Sequence, residues 1–475
     1  MQLDVNSSAF RFLTGLLAVT ACNLLYRAIA IPPEALWNPF TLTLTPYGEE
    51  QFAVLLANEP WRLFLPWDQG GGGRIAWNPA KSLPVYFLSQ YLSPQALFLV
   101  LTTIMVAALY WASYVTTRSL RFALALGLIA ALSTFLNYSF VYGSLVRNYL
   151  LIAYLAFTAA AFVKYIGSEQ GSHRAWLTSF YVGLFVVIMS GEWWLNLAIP
   201  LILGCAFAGV WSTKTEQPLL GRRFRLIGLS VLGAVFAYLA VRLQFTSQYT
   251  ALGFENEMVF TYPSLLIAFE DMVINYMTYL FITLSGVLPS FLTFSPSYVA
   301  MGPEAILAEQ NGYHAQFTNH VVFSHLTSWR FVAGMMFVGV MMLGWRWLRE
   351  AWTSRRLETL VPVFLLLIIM TGFATYVPIK MRPMHLTAML GYKTVISSTA
   401  LMVLLAWLVF RSRDWPISDA LRNGFVALVM GSVLIAAFTR PATHEAGLEA
   451  VGLDSAGDPI ANWQYRRLLS EENRR

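Results

Sequence analysis

The chain has 475 residues, of which 57% are hydrophobic and only 12% charged, with a formal net charge of +6. An ordinary soluble domain carries about 25% charged residues, so the composition excludes a soluble enzyme and a basic nucleic-acid binder and places the chain among integral membrane proteins. The two cysteines, Cys22 and Cys205, lie inside apolar runs and support neither a disulfide framework nor a zinc site.

In chain order, apolar runs long enough to span a bilayer, or nearly so, are centred in 12–30, 95–115, 121–140, 149–166, 175–190, 193–211, 226–244, 329–348, 359–377, 393–410 and 422–438. This predicts an all-α, polytopic helical bundle of about eleven spans. The first run ends in Ala28-Ile29-Ala30, which has the form of a signal-peptidase site. Its length, its Asn23 and Arg27, and a flank Met1–Ser8 without positive charge favour a retained helix. Arg27 and Arg242 fall near span ends and are expected to snorkel to the interface.

Orientation follows from Lys and Arg in the short connections. Basic clusters occur at Arg118 and Arg121, at Lys164 and Arg174, at Lys214, Arg222, Arg223 and Arg225, at Arg346, Arg349, Arg355 and Arg356, and at Arg411, Arg413 and Arg422. With all five in the cytoplasm, the N-terminus is cytoplasmic and the segments 31–92, 245–327, 378–391 and 440–475 are external. This corresponds to a multi-pass protein of the cell (inner) membrane with its C-terminus external or periplasmic. The interval 245–327 must begin and end outside although Leu265–Leu292 is largely apolar. It is expected to form an external interfacial helix and a re-entrant segment turning near Ser285, Gly286 and Pro289, covered by protein or a cavity. One transmembrane domain, 1–440, precedes an external tail, 441–475.

The polar stretch from Tyr47 to Tyr91 stands apart. Glu49 and Glu50 precede Phe52, Leu55, Leu56 and Trp61 at helix-like spacing, which predicts an interfacial helix. A carboxylate at its start can act as a general base or hold a divalent cation such as Mg2+ or Mn2+, and can equally be a solvated N-terminal turn. Asp68 precedes Gly70–Gly73, a run that allows close backbone approach to an anion or forms a plain surface turn. Lys81 and Pro84 open the approach to the second span as a kinked lead-in. Across the membrane surface on the same predicted side lie Arg382, His385 and Lys393, and Arg147 at the start of its helix. These are cations of the type that grip a phosphate or anchor in headgroups. Glu192 beside Trp193 and Trp194 reads as a rim residue with aromatic anchors. His314, His320 and His325 do not share a helical face, which disfavours a metal site.

The acidic pair Glu49-Glu50, the following Phe52-Ala53 and the later Lys81-Ser82-Leu83-Pro84 resemble the first external loop of the GT-C glycosyltransferases. The likeness is strongest to the protein O-mannosyltransferase and aminoarabinose-transferase type, and the Pro66–Pro84 wording also resembles the YfhO-like branch. Ser144-Leu145-Val146-Arg147-Asn148-Tyr149 is similar to the Arg-x-Tyr that starts a mid-chain helix in many of these enzymes. The two matches cover the N-terminal third. The resemblance implies an enzyme taking a sugar from a polyprenyl-phosphate donor on the outer face and passing it to a glycan, lipid or protein acceptor, usually with inversion. It implies catalysis by an acid at Glu49, Glu50 or Asp68 and phosphate binding by Arg382, His385, Lys393, Arg147 and Lys81. The family acid is usually Asp where this chain has Glu49 or Gly48, so the three acids stay open as the base. The competing expectations are a lipid-linked saccharide flippase or transporter, a non-catalytic assembly protein on the same scaffold, and an O-antigen polymerase or ligase.

Overall fold

The computed structural model describes residues 8–30, 67–69, 74–76, 79–133, 148–168, 173–190, 194–250, 326–371 and 395–410, with Asn58, Pro60, Thr283 and Gly424 as single positions. Its elements are α1 (Ser8–Ala30), β1 (Trp67–Gln69), β2 (Arg74–Ala76), α2 (Pro79–Ser89), α3 (Pro94–Thr117), α4 (Leu120–Leu132), α5 (Asn148–Gly167), α6 (His173–Ile188), α7 (Leu195–Lys214), α8 (Pro218–Thr250), α9 (Leu326–Thr353), α10 (Leu360–Thr371) and α11 (Val395–Phe410). The architecture is an all-α bundle of multi-pass membrane type. Within α1, α3, α5, α7 and α8 lie five stretches long and apolar enough to cross a bilayer, and four shorter apolar helices fall at Leu120–Leu132, His173–Ile188, Leu357–Thr371 and Ile396–Phe410. The last expected span, 422–438, and the re-entrant segment lie outside the described residues, apart from Gly424 and Thr283. Thr283 is buried, and its carbonyl accepts from Ser398 Oγ of α11 at 3.2 Å.

Short links turn the chain between several consecutive helices, among them α2 and α3, α3 and α4, and α7 and α8. Ser93 caps α3 by accepting from the Ala96 N–H at 3.2 Å, with Pro94 at the first turn where its missing N–H costs nothing. At the other end, Arg118 adopts the left-handed conformation (φ 54°) and Ser119 at once caps α4. The link is therefore two residues long, and α3 and α4 pack antiparallel. Between α7 and α8, Glu216 takes the same conformation (φ 58°). Helix α8 starts at Pro218, so Arg222, Arg223 and Arg225 lie on its first turns, and Arg346 and Arg349 likewise sit inside α9.

Two cores form the interior. One joins α1, α3, α4 and the start of α5, with Leu101, Met105, Tyr110 and Ile152 fully buried or nearly so. The other joins α5 to α8 with α9, α10 and α11 around Phe180, Trp211, Phe224 and Ile227. Close approach uses small residues, as expected where lipid supplies no solvophobic drive between helices. A Cβ at Gly204 of α7 would fall on the Phe364 ring of α10, and one at Gly127 of α4 would meet Val19 of α1. The outer surface is apolar: Leu17 is 68% exposed, Leu229 67% and Phe236 64%. In water that surface would be costly; in a bilayer it is the solvated face. Cys22 and Cys205 are both buried and free.

The alternating helices sort the charges. Arg223 donates to the carbonyls of Tyr165, Ile166 and Ser168 at 2.7–3.0 Å, Lys214 reaches Trp352, and Gln217 reaches the Arg355 carbonyl. The clusters at 118–121, 164–174, 214–225 and 346–356 therefore gather at one end of the bundle, hereafter the basic end. The opposite end collects the C-termini of α1, α4 and α6 and the N-termini of α3, α5 and α7.

Candidate functional site

The site lies at that opposite end, where α2 docks on α5 and α6. Pro84 sits inside α2 and has no N–H, so the carbonyl four residues earlier, Ala80, loses its helical partner. The Tyr154 hydroxyl of α5 donates to that carbonyl at 2.8 Å. The Ala80 N–H is also spoken for, donating to the Met189 carbonyl just after α6 at 3.2 Å. The proline thus creates the acceptor by which the helix is hooked to its neighbours.

One residue on, Lys81 is 3% exposed and its Nζ donates to Asn148 Oδ1 at 3.0 Å, with Asn148 itself 5% exposed. Val85, one turn later, is fully buried. Burying an ammonium group is costly without acceptors, and Asn148 is one of those that Lys81 has. Asn148 is also the first residue of α5, so the lysine charge stands at the positive end of a 20-residue helix. Both contribute positive potential to the same point. The expectation of a simple kinked lead-in is therefore replaced by a buried polar joint.

Two further polar groups at this end depart from the sequence reading. Arg27 does not snorkel. It is 1% exposed, and its Nη2 donates to the carbonyls of Ala131 and Ser133, both at 2.9 Å, and to Ala130 at 3.5 Å. The Ala130 carbonyl also accepts from the Ser133 N–H and hydroxyl, while at Ala131 and Ser133 a guanidinium from α1 meets carbonyls at the end of α4 and complements the negative helix end. Trp194 is not a rim anchor. It is 1% exposed and packs edge-on against Tyr238 of α8 with ring centroids 5.5 Å apart. Its indole N–H has no hydrogen-bond partner among the described residues.

Of the sequence-predicted site residues, Lys81 is the one whose side chain is described. Asp68 lies in β1, in register with Ile75 of the antiparallel β2, and Gly70–Gly73 lie outside the described residues. Glu49, Glu50, Arg147, Arg382, His385 and Lys393 lie outside the described residues, as do Glu192, His314, His320 and His325. Among the described residues no group of three or more His, Cys, Asp or Glu is placed to hold a metal ion. Sequence reasoning missed Asn148 and Tyr154 as partners of the Lys81 element. The available signal was Pro84, which guarantees an orphaned carbonyl at Ala80 but does not name its donor. No protein-family model matches this chain, and no curated protein matches it.

Proposed function

We propose that this chain is a multi-pass membrane glycosyltransferase of GT-C type that moves a sugar from a polyprenyl-phosphate donor to a glycan, lipid or protein acceptor. The observation that supports it is the Lys81–Asn148 contact. Lys81 and Asn148, from two of the stretches on which the resemblance rests, are far apart in the chain and meet at this hydrogen bond of 3.0 Å. A buried ammonium and the N-terminus of α5 supply the positive potential a phosphate requires. Arg147 directly precedes Asn148 in the chain.

In this reading the positive-inside bias places the basic end in the cytoplasm and the Lys81 end outside. The donor phosphate is gripped by Arg147 with Arg382, His385 and Lys393, and Lys81 holds α2 and α5 in register as a positioning residue. One of Glu49, Glu50 and Asp68 removes the proton of the acceptor hydroxyl. That oxygen bonds to the anomeric carbon, and the bond from the anomeric carbon to the phosphate oxygen breaks with its electron pair going to the polyprenyl phosphate.

The test is transfer from a radiolabelled polyprenyl-phosphate sugar in reconstituted vesicles, comparing wild type with Glu49→Gln, Glu50→Gln and Asp68→Asn. Loss of the general base is expected to lower turnover by about 10²–10⁴-fold in one of the three. Unchanged turnover in all three rejects the catalytic assignment, and donor translocation without transfer assigns a flippase instead.

A further inference from the structure

We propose that the exposed face of α9, together with Lys214 of α7, is a binding site for the headgroup of an anionic phospholipid in the leaflet at the basic end. The inference does not rest on sugar transfer; it needs only a membrane-embedded bundle.

Among the described side chains of α9, the exposed ones lie mostly along one side and are apolar first; Arg346, Leu348 and Thr353 are also exposed. Val338 is 56% exposed, Met341 50%, Met342 69% and Trp345 69%; exposed Arg349 and then Trp352, at 40%, follow. Steps of three and four residues link Val338, Met342, Trp345, Arg349 and Trp352 along one side of the helix, with Met341 one turn before Trp345 on that side. The exposed stretch starts apolar at Val338–Met342 and then mixes indoles with guanidinium groups from Trp345 and Arg346 to Arg349 and Trp352, which matches acyl chain followed by the interface and headgroup layer. Val338 to Arg349 is eleven residues, about 16 Å at a rise of ~1.5 Å each. Half of a ~30 Å hydrocarbon core is ~15 Å. The stripe is therefore as long as one leaflet is deep, and Arg349 falls where the phosphate of a lipid in contact with Val338–Trp345 would lie.

A second element supplies a fixed cation. The Lys214 Nζ donates to the Trp352 carbonyl at 3.2 Å and stands 4.6 Å from the centroid of the Trp352 ring. Trp211 Nε1 donates to the Ser354 carbonyl at 2.9 Å, and Gln217 Nε2 to the Arg355 carbonyl at 3.2 Å. Positions 211, 214 and 217 thus bind one carbonyl in the last turn of α9, that of Trp352, and two just beyond the helix, those of Ser354 and Arg355. The Lys214 ammonium at the Trp352 carbonyl offsets part of the negative end of that helix, which would otherwise oppose an anion. The same contact holds Lys214 beside an interfacial indole. Arg355 and Arg356 are exposed just beyond, against Glu350 and Glu358 in the same stretch. A phosphodiester matches this set of donors, and Arg349 can take two of its oxygens at once.

The experiment uses the full chain in nanodiscs of phosphatidylcholine with and without phosphatidylglycerol. Native mass spectrometry reads which lipid is retained. Wild type is expected to retain phosphatidylglycerol preferentially, and Arg349→Gln with Lys214→Gln to lose that preference by roughly tenfold or more, from the known worth of each basic residue at an anionic surface. The pair Arg118→Gln with Arg121→Gln, at the same end in the α3–α4 link and the first turn of α4, is expected to keep it. An unchanged preference in the first pair, or an equal loss in the second, overturns the site. If Lys214→Gln lowers the melting midpoint in phosphatidylcholine alone, Arg349→Gln by itself decides. Inorganic phosphate at millimolar concentration is the remaining arm: displacement of the lipid by it would show a free-phosphate site and overturn the headgroup assignment.

Discussion

At the scale of single residues, buried cations organise one end of this molecule. Lys81 and Arg27 are each nearly inaccessible, and each is held by groups on a different helix. A buried donor left without its acceptor costs more than the bond is worth when made, so partner deletion is the sensitive measurement. Asn148→Leu is expected to destabilise the protein by about 1–3 kcal/mol, because it strips an acceptor from a buried ammonium. Adding Lys81→Met to it should recover part of that loss, since the charge leaves with its partner. Chemical denaturation in detergent micelles, run as a double-mutant cycle, checks both; simple additivity would mean the pair does not interact. Part of this was legible in sequence: Pro84 orphans the Ala80 carbonyl by covalent structure alone. That Tyr154 supplies the donor was not, since a hydroxyl 74 residues away carries no local mark of its partner.

Among elements, the helices follow the apolar runs closely where capping residues punctuate them. Ser93-Pro94 starts α3, and Arg118-Ser119 separates α3 from α4. Where the boundary is charged the reading fell short, because Arg222, Arg223 and Arg225 read as a loop and lie in α8. Arginine is a good helix former, and a helix emerging from a bilayer carries its charges on its last turns. Helix packing is where small residues matter. Gly204→Ala is expected to cost about 1–3 kcal/mol, since its Cβ would meet the Phe364 ring. Gly233→Ala on α8, with nothing within 4 Å, should be neutral or slightly stabilising. Thermal melting of the two variants side by side distinguishes close helix contact from a general intolerance of substitution.

For the whole molecule, the separation of charge between ends is the dominant feature, and it predicts orientation. Gln90→Cys, exposed near the Lys81 end, should react with a membrane-impermeant maleimide on intact cells. Arg356→Cys, exposed at the basic end, should react only after permeabilisation. Background labelling should be low because Cys22 and Cys205 are buried. Labelling of both from the same side would contradict the bundle, and the reversed pattern would contradict the orientation.

The amino-acid sequence by itself determined the membrane class, the all-α architecture, the order of the described apolar helices and the grouping of basic residues between them. These follow from local quantities: transfer free energy summed along a run, backbone hydrogen bonds that must close within each segment, and the covalent limits of proline. Only the tertiary structure decided which cations are buried and what they hold. The Lys81–Asn148 bond spans 67 positions and the Arg27–Ala131 bond 104. Whether a charge near a span end snorkels or turns inward depends on whether acceptors from other helices converge on it. That convergence is a property of packing, which no single segment encodes.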